Sequence, residues 1–168
     1  LEDILQDTRE KSAVAAVNMA LDDVYGKMMQ KSVGMLYGIK RNKGKILESI
    51  SFKENPEDLS KSITDIHNRS RVPKIKLGKD LEYDLIIFNW LINNVNLPYA
   101  VDFNAAYKLD EAVLLFDKIN SLETGYLLFI EQPIIKEEGL GNLIEFANYV
   151  KSRSMRSHIV ADESFITL

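Results

Sequence analysis

The chain has 168 residues, enough for one domain with a buried core, and its 46% hydrophobic and 27% charged residues are ordinary for a globular protein. A net charge of −4 gives no reason to expect nucleic acid or an anionic membrane as a partner, and the absence of cysteine excludes disulfides, thiolate zinc sites and cysteine nucleophiles. No apolar run approaches the ~20 residues of a membrane helix, so we expect a cytoplasmic protein. Because it starts at Leu1 and stops soon after a predicted strand, at Leu168, we expect a segment of a longer protein.

An amphipathic helix is predicted near the start of the chain, from about Glu10 to Met29. Its apolar residues recur every three or four positions and are expected to form one buried stripe. These residues are Val14, Val17, Leu21, Val24, Tyr25 and Met28. Three glycines then break the pattern, the last of them Gly44. We therefore divide the chain into a helical part, residues 1–44, and a second part, residues 45–168.

Strands alternate with helices through the second part of the chain. The predicted strands are Ile46–Phe52, Val72–Leu77, Tyr99–Asn104, Leu127–Ile130 and His158–Ala161. The predicted helices begin at Asn55-Pro56, cover Leu81–Val95, begin at Asp110 and cover Leu140–Lys151. Five mostly apolar strands alternating with four helices indicate a parallel α/β fold. An open doubly wound sheet and part of a (β/α)₈ barrel both fit this pattern.

Polar residues stand where four successive strands end. They are Lys74 and Lys76, Asp102 and Asn104, Glu131, and Asp162. Successive strand ends are separated by roughly 30 residues, the length of one strand–helix unit. Such steps bring the side chains together at the carboxyl edge of a parallel sheet, where these folds place their active sites.

Three carboxylates that converge at one edge would repel one another unless a cation lay between them. A divalent ion resolves the repulsion, and a site made only of oxygen ligands suits Mg²⁺ better than zinc. The open doubly wound sheet offers an alternative, a magnesium-dependent phosphoryl-transfer or receiver-type domain, but it leaves Lys74 and Lys76 unexplained. A non-catalytic barrel remnant that serves as an interaction module is a third alternative.

Four short motifs carry a resemblance to a known family. They are Lys74-Ile75-Lys76, Asp102-Phe103-Asn104, Glu131-Gln132-Pro133 and Asp162-Glu163-Ser164. In this order and spacing they resemble the enolase superfamily, and within it the muconate-lactonizing branch of muconate cycloisomerases, dipeptide epimerases and o-succinylbenzoate synthases. The resemblance implies a (β/α)₈ TIM-type barrel with its first five strands present. Residues 1–44 would then be the last helical part of a capping domain and the crossover into the barrel.

The resemblance also implies roles for the residues at the strand ends. Asp102, Glu131 and Asp162 would hold one Mg²⁺, with Mn²⁺ as the alternative ion. Lys76 would be the acid/base and Lys74 its assistant, while Asn104 would lie near the substrate. A second lysine would lie on a sixth strand, past Leu168.

The reaction implied by the resemblance is abstraction of a proton α to a carboxylate through an enediolate. It would lead to racemisation or epimerisation, cycloisomerisation or dehydration. The partners implied are a small-molecule carboxylate substrate and further copies of the chain in a homo-oligomer, with no nucleic acid and no membrane.

Overall fold

The structure is a computed structural model that describes residues 11–39, 44–119, 126–153 and 157–165. The chain forms two compact units, Leu1–Gly44 and Lys45–Leu168. The described part of the first unit contains helix α1, Lys11–Met28, and the short helix α2, Val33–Leu36. Ser32 caps α2 by accepting a hydrogen bond from the Met35 N–H, at 3.3 Å. Glu10, where the first helix was predicted to begin, lies outside the described residues.

The apolar stripe of α1 was predicted to be buried, and in its own unit this prediction is wrong. Val14 is half-buried, while the exposed fraction of the other stripe residues runs from 45% at Val17 to 76% at Met28. The only other helix described in this unit is α2, with four residues, and it is too short to cover a stripe along the 18 residues of α1.

The second unit alternates strands with helices, as predicted. The strands are β1 (Leu47–Ile50), β2 (Val72–Lys76), β3 (Tyr99–Asp102), β4 (Leu127–Glu131) and β5 (His158–Val160). The helices are α3 (Pro56–Asn68), α4 (Leu81–Asn94), α5 (Leu109–Asp117) and α6 (Gly139–Ser152), and a 3₁₀ turn at Lys136–Glu138 precedes α6. Among the described residues, no helix has both the length and the apolar character needed to cross a membrane.

All five strands are parallel and lie in the order β1-β2-β3-β4-β5. This sequential order is that of five neighbouring strands in the wall of a (β/α)₈ barrel. A doubly wound sheet would instead reverse its strand order at a switch point, with its first strand inside the sheet. The predicted contiguous wall is therefore confirmed, and the open sheet behind the receiver-type alternative is excluded.

The third strand is shorter than predicted, because β3 ends at Asp102 rather than at Asn104. Asn104 and Ala105 have positive φ angles of 50° and 53°, in the left-handed region that ends strand geometry. The chain therefore turns immediately after Asp102.

The core lies between the sheet and its helices and is rich in aromatic rings. Phe103, directly after β3, makes edge contacts with Phe88 of α4 and Tyr107, with ring centroids 5.9 Å apart in each pair. Phe116 of α5 continues the series to Phe146 of α6 at 5.0 Å. These packed, fully buried rings join three helices to the outer face of the sheet and leave its other face for polar side chains.

Phe116→Ala tests how far the second unit depends on this aromatic core. Phe116 is fully buried against three other rings, so its loss should lower the free energy of unfolding by about 3–5 kcal/mol. Leu114→Ala is the matched control on the same helix, where the side chain is 47% exposed and the change should stay within about 0.5 kcal/mol. Urea denaturation measures both, and equal losses would contradict the assignment of the core.

Candidate active site

The register between neighbouring strands places the predicted site residues on one face of the sheet. Lys76 pairs with Asp102, and Asp102 pairs with Glu131. Directly paired residues point to the same face, and Lys74, two residues before Lys76, shares it. The structure therefore brings four of the six predicted residues together at the carboxyl edge.

A register shift between β3 and β4 is needed for this arrangement. Tyr99 pairs with Leu127 but Val101 pairs with Ile130, so β4 contains one extra residue over this stretch. Without the shift, Asp102 would pair with Ile130, and Glu131 would point towards the helices. The bulge thus turns the Glu131 carboxylate to the same side as that of Asp102.

Two lysines and two carboxylates form a continuous ionic cluster at this edge. The Nζ of Lys74 lies 2.9 Å and 2.8 Å from the two carboxylate oxygens of Glu131, and 3.1 Å from Oδ2 of Asp102. The Nζ of Lys76 lies 2.6 Å from the same Asp102 oxygen. Only 1% of the Asp102 side chain is exposed, so the two ammonium groups stabilise a charge that water reaches hardly at all.

The protonation of two members of the cluster follows from these contacts. Burial raises the pKa of Asp102, but hydrogen bonds from Lys76, the Asn104 N–H and Lys74 outweigh it and hold that pKa below its usual value. Burial lowers the pKa of Lys74, but its contacts with Glu131 and Asp102 outweigh this and raise that pKa above its usual value. Asp102 is therefore ionised and Lys74 protonated near neutral pH.

Asn104 and Asp162 lie at the same edge without joining the ionic cluster. The side chain of Asn104 is exposed, and its backbone N–H donates to Oδ1 of Asp102 at 2.9 Å. Asp162 is exposed two residues beyond Val160, which pairs with Glu131. Over the described ranges, no group of three or more acidic or histidine side chains is arranged to hold a metal ion, so Asp162 does not meet the other two carboxylates here.

The donor set of the cluster nevertheless fits a divalent cation. Oxygens of Asp102 and Glu131 both lie close to one positive charge, the Nζ of Lys74. Two carboxylates that already converge on a single cation can do the same for Mg²⁺, which prefers oxygen ligands. Asp102 and Glu131 would be the first two ligands, and Asp162 stands on the adjacent strand end.

A buried carboxylate that sequence reasoning missed supports the site from behind. Asp84 of α4 is fully buried and accepts hydrogen bonds from the Gly78 N–H at 2.6 Å and the Tyr107 hydroxyl at 2.5 Å. Gly78 follows β2 and Tyr107 follows β3, so Asp84 ties together the loops after Lys76 and Asp102. Its sequence position is typical of an ordinary acid in the first turn of a helix, and only the contacts reveal this role.

Gly78 is itself restricted by this packing. Its φ is +93°, and a Cβ at this position would lie 2.1 Å from the carbonyl oxygen of Phe103. Any larger residue would push the loop after β2 away from the end of β3. The spacing between the lysine strand and the aspartate strand therefore depends on a glycine here.

Comparison with known proteins identifies the relatives of this chain. No sequence model of a protein family matches it. It is 28% identical over 143 residues to the L-Ala-D/L-Glu epimerase of Bacteroides thetaiotaomicron, covering 82% of this chain and 36% of the relative. It is 28% identical over 159 residues to the o-succinylbenzoate synthase of Enterococcus faecalis, covering 92% of this chain and 39% of the relative. The chain thus spans well under half the length of the curated relatives it matches.

Solved structures point the same way. The L-Ala-D/L-Glu epimerase of Bacillus subtilis superimposes with a TM-score of 0.75 at 26% identity, over 98% of this chain and 46% of that one. A dipeptide epimerase of Methylococcus capsulatus, complexed with a magnesium ion, matches with a TM-score of 0.64 at 24% identity, over 89% of this chain and 41% of that one. The relatives are enolase-superfamily proteins. The resemblance seen in the motifs and the partial-barrel fold are both confirmed.

Asp84 gives the α/β unit a pH dependence whose sign can be checked. Burial, the largest cause, raises the pKa of Asp84 above 3.8 despite its hydrogen bonds. A raised folded-state pKa means that the favourable contribution is fully present below the unfolded pKa and is lost as pH rises through the folded pKa. The stability of the wild type relative to Asp84→Asn should therefore fall as pH increases from about 3.5 to about 7.

Urea denaturation across this pH range measures the difference. Glu82→Gln is the matched control in the same turn of α4, since Glu82 is exposed, and its difference from the wild type should stay nearly constant. A wild-type advantage over Asp84→Asn that grows with pH would contradict the assignment.

Proposed function

We propose that this chain is part of a magnesium-dependent enzyme that removes a proton from the carbon α to a carboxylate. The observation that carries the proposal is the cluster of Lys74, Lys76, Asp102 and Glu131, in which two lysines contact a convergent pair of carboxylates. The epimerase and synthase relatives support the same class of reaction. The product would arise by racemisation or epimerisation, by cycloisomerisation or by dehydration.

Asp102, Glu131 and Asp162 would hold one Mg²⁺, or Mn²⁺ in its place. When bound, the ion supplies positive charge that stabilises the two negative oxygens of the enediolate. The convergence of Asp102 and Glu131 on a single cation supports this ligand pair. The magnesium ion carried by the dipeptide epimerase of Methylococcus capsulatus supports the choice of metal.

Lys76 would act as the acid/base and Lys74 as its positioning neighbour. In its neutral form the Lys76 amine takes the α-proton, and the electron pair of the broken C–H bond passes into the enediolate. The side chain of Lys76 is 28% exposed against 16% for Lys74, so Lys76 has the freer access to a substrate at this edge. Lys74, held by both carboxylates, places a second positive charge beside it and compensates the charge of Asp102 and Glu131.

The substrate would be a small carboxylic acid, with its carboxylate near Asn104. A dipeptide is the first substrate class to test, because one curated relative is an L-Ala-D/L-Glu epimerase. The succinylbenzoate precursor is the second, because another relative is an o-succinylbenzoate synthase. We further propose a cytoplasmic homo-oligomer that binds neither nucleic acid nor membrane.

Lys76→Ala in the full-length protein tests the assignment of the base. Without the amine, incorporation of solvent deuterium at the α-carbon from that face should fall at least about a hundredfold, because general acid–base groups contribute factors of this size. Mass spectrometry of the recovered substrate measures the exchange. Lys76→Arg should not rescue it, since a guanidinium stays protonated and cannot accept the proton.

Two lysine variants serve as controls for this experiment. Lys74→Ala should reduce exchange less than Lys76→Ala, since Lys74 acts through its neighbour. Lys79→Ala, at an exposed lysine whose Nζ lies 4.8 Å from the centre of the Tyr83 ring, should leave exchange unchanged. Full exchange in Lys76→Ala would reject the base. A wild type without exchange on any substrate class would favour the non-catalytic remnant.

Glu131→Gln tests the metal ligands separately from catalysis. At a Mg²⁺ concentration about 100 times the Kd, binding should stabilise the wild type by about 2.7 kcal/mol. The amide lacks the charge that attracts the ion, so the variant should lose most of this gain in a thermal melt. Glu137→Gln, an exposed acid in the 3₁₀ turn, should retain the full gain. An unchanged response to Mg²⁺ in Glu131→Gln would reject Glu131 as a ligand.

A further inference from the structure

Gln132, the residue after Glu131, is fully buried and has an unusual backbone. Its φ is +36°, in a region that residues with a side chain rarely adopt. Its N–H donates to the carbonyl oxygen of Val160 at 2.9 Å, and its own carbonyl oxygen accepts from the Ala105 N–H at 2.8 Å. The backbone at Gln132 thus connects the ends of three strands, and strained backbone of this kind is maintained only where the surrounding contacts demand it.

The side-chain amide of Gln132 uses both its ends to hold the segment after β5. Oε1 accepts from the Asp162 N–H at 2.9 Å and from the Ser164 N–H at 3.1 Å. Nε2 donates to the Ser164 hydroxyl and to the Ile134 carbonyl oxygen, each at 2.7 Å. Three of these four bonds reach the segment that contains Asp162. The fourth, to Ile134, stays within the segment that follows β4.

β5 has only three residues and ends at Val160, so its ladder to β4 stops before Asp162 is reached. The Gln132 side chain continues the connection beyond the strand. Because Gln132 is covalently next to Glu131, it couples the backbone of Glu131 to the backbone of Asp162. A residue selected for packing alone would be apolar at a fully buried position, whereas here an amide meets donors and acceptors together.

We infer that Gln132 is the positioning residue that sets the place of Asp162 relative to Glu131, and with it the affinity of the site for a divalent cation. The inference rests on the proposed function, in which both carboxylates are ligands. In this role Gln132 itself contacts neither cation nor substrate. It acts through the hydrogen bonds that its side chain accepts from the backbone N–H groups of Asp162 and Ser164. Groups that orient metal ligands in this way are typically worth about ten- to a hundredfold in metal affinity.

Gln132→Met is the informative variant, because methionine has nearly the same size and offers none of the four strong hydrogen bonds. We expect the Kd for Mg²⁺ alone, measured by calorimetric titration of the full-length protein, to rise about tenfold or more. In the same variant without Mg²⁺, hydrogen exchange at the Asp162 and Ser164 amides should be faster. Gln132→Glu keeps oxygens that accept from these two amides, so exchange at Asp162 and Ser164 should be slower than in Gln132→Met.

Asn142→Ala is the matched control. It removes another side-chain amide bond, from Nδ2 of Asn142 to Glu138 at 2.8 Å, on α6 and away from the strand ends. Its Mg²⁺ affinity and its exchange at Asp162 should equal those of the wild type. If Gln132→Met fails to fold, Ser164→Ala removes one bond to Gln132 outside the core. It should then weaken Mg²⁺ binding about threefold, less than the ten- to hundredfold of a whole positioning group because only one of the four hydrogen bonds is lost, with faster exchange at Asp162.

The outcomes separate the two levels of the proposal. A wild type that does not bind Mg²⁺ would overturn the proposed function and, with it, the role of Gln132 in metal affinity, whatever the exchange at Asp162. A wild type that binds Mg²⁺, with Gln132→Met or its substitute Ser164→Ala binding equally well, would overturn the positioning role while leaving the proposed function intact. Hydrogen exchange at the Asp162 amide that is as slow in these variants as in the wild type would also overturn the positioning role of Gln132.

Discussion

Between Tyr99 and Val101 the pairing of β3 with β4 slips by one residue, and the ionic cluster depends on that slip. Side chains in a strand alternate between two faces, so a shift of one residue decides whether Glu131 lies beside Asp102 or among the helices. The parallel register of β2 against β3 then adds Lys76 next to Asp102. Once these charges share a half-buried edge, they must compensate one another, and the lysine–carboxylate contacts follow from that requirement.

The face opposite the charges is organised to hold this edge in place. Aromatic rings from α4, α5 and α6 pack behind the strand ends, around Phe103 and Phe116. Two buried polar groups, Asp84 and Gln132, then connect the loops that follow the strands. Asp84 joins the loops after β2 and β3, while Gln132 joins the end of β4 to the segment after β5. Each of the four strand ends that bear site residues is therefore fixed by a side chain that does not belong to the cluster.

The proposed base and the proposed metal site would use different members of this cluster. Lys74 contacts both carboxylates, and these contacts raise its pKa above the usual value. Its ammonium group therefore compensates the negative charge of Asp102 and Glu131. Within the described ranges Lys76 forms an ion pair with Asp102 alone and is the more exposed of the two lysines, as the proposed base would have to be. The two lysines of the Lys-Ile-Lys motif thus differ in environment although they differ in sequence position by only two residues.

Sequence alone was sufficient for the order of elements and for the general site. The start of a helix at Asn55-Pro56 and the alternation of strands and helices follow from local chemistry and periodicity, and both are found as predicted. Lys74, Lys76, Asp102 and Glu131 could be chosen as neighbours because equal strand–helix steps in a parallel sheet return the chain to the same edge.

What only the tertiary structure decided depends on contacts between residues far apart in the chain. The apolar residues of α1 recur with the period of a helix, but their burial requires a partner surface that periodicity does not specify. Most of these residues are exposed here. Strand alternation extended β3 to Asn104, whereas left-handed backbone angles end it at Asp102. The bulge beside Glu131, the buried carboxyl group of Asp84 and the hydrogen-bonded side-chain amide of Gln132 leave no local pattern, because each depends on hydrogen bonds to groups on other loops or strands.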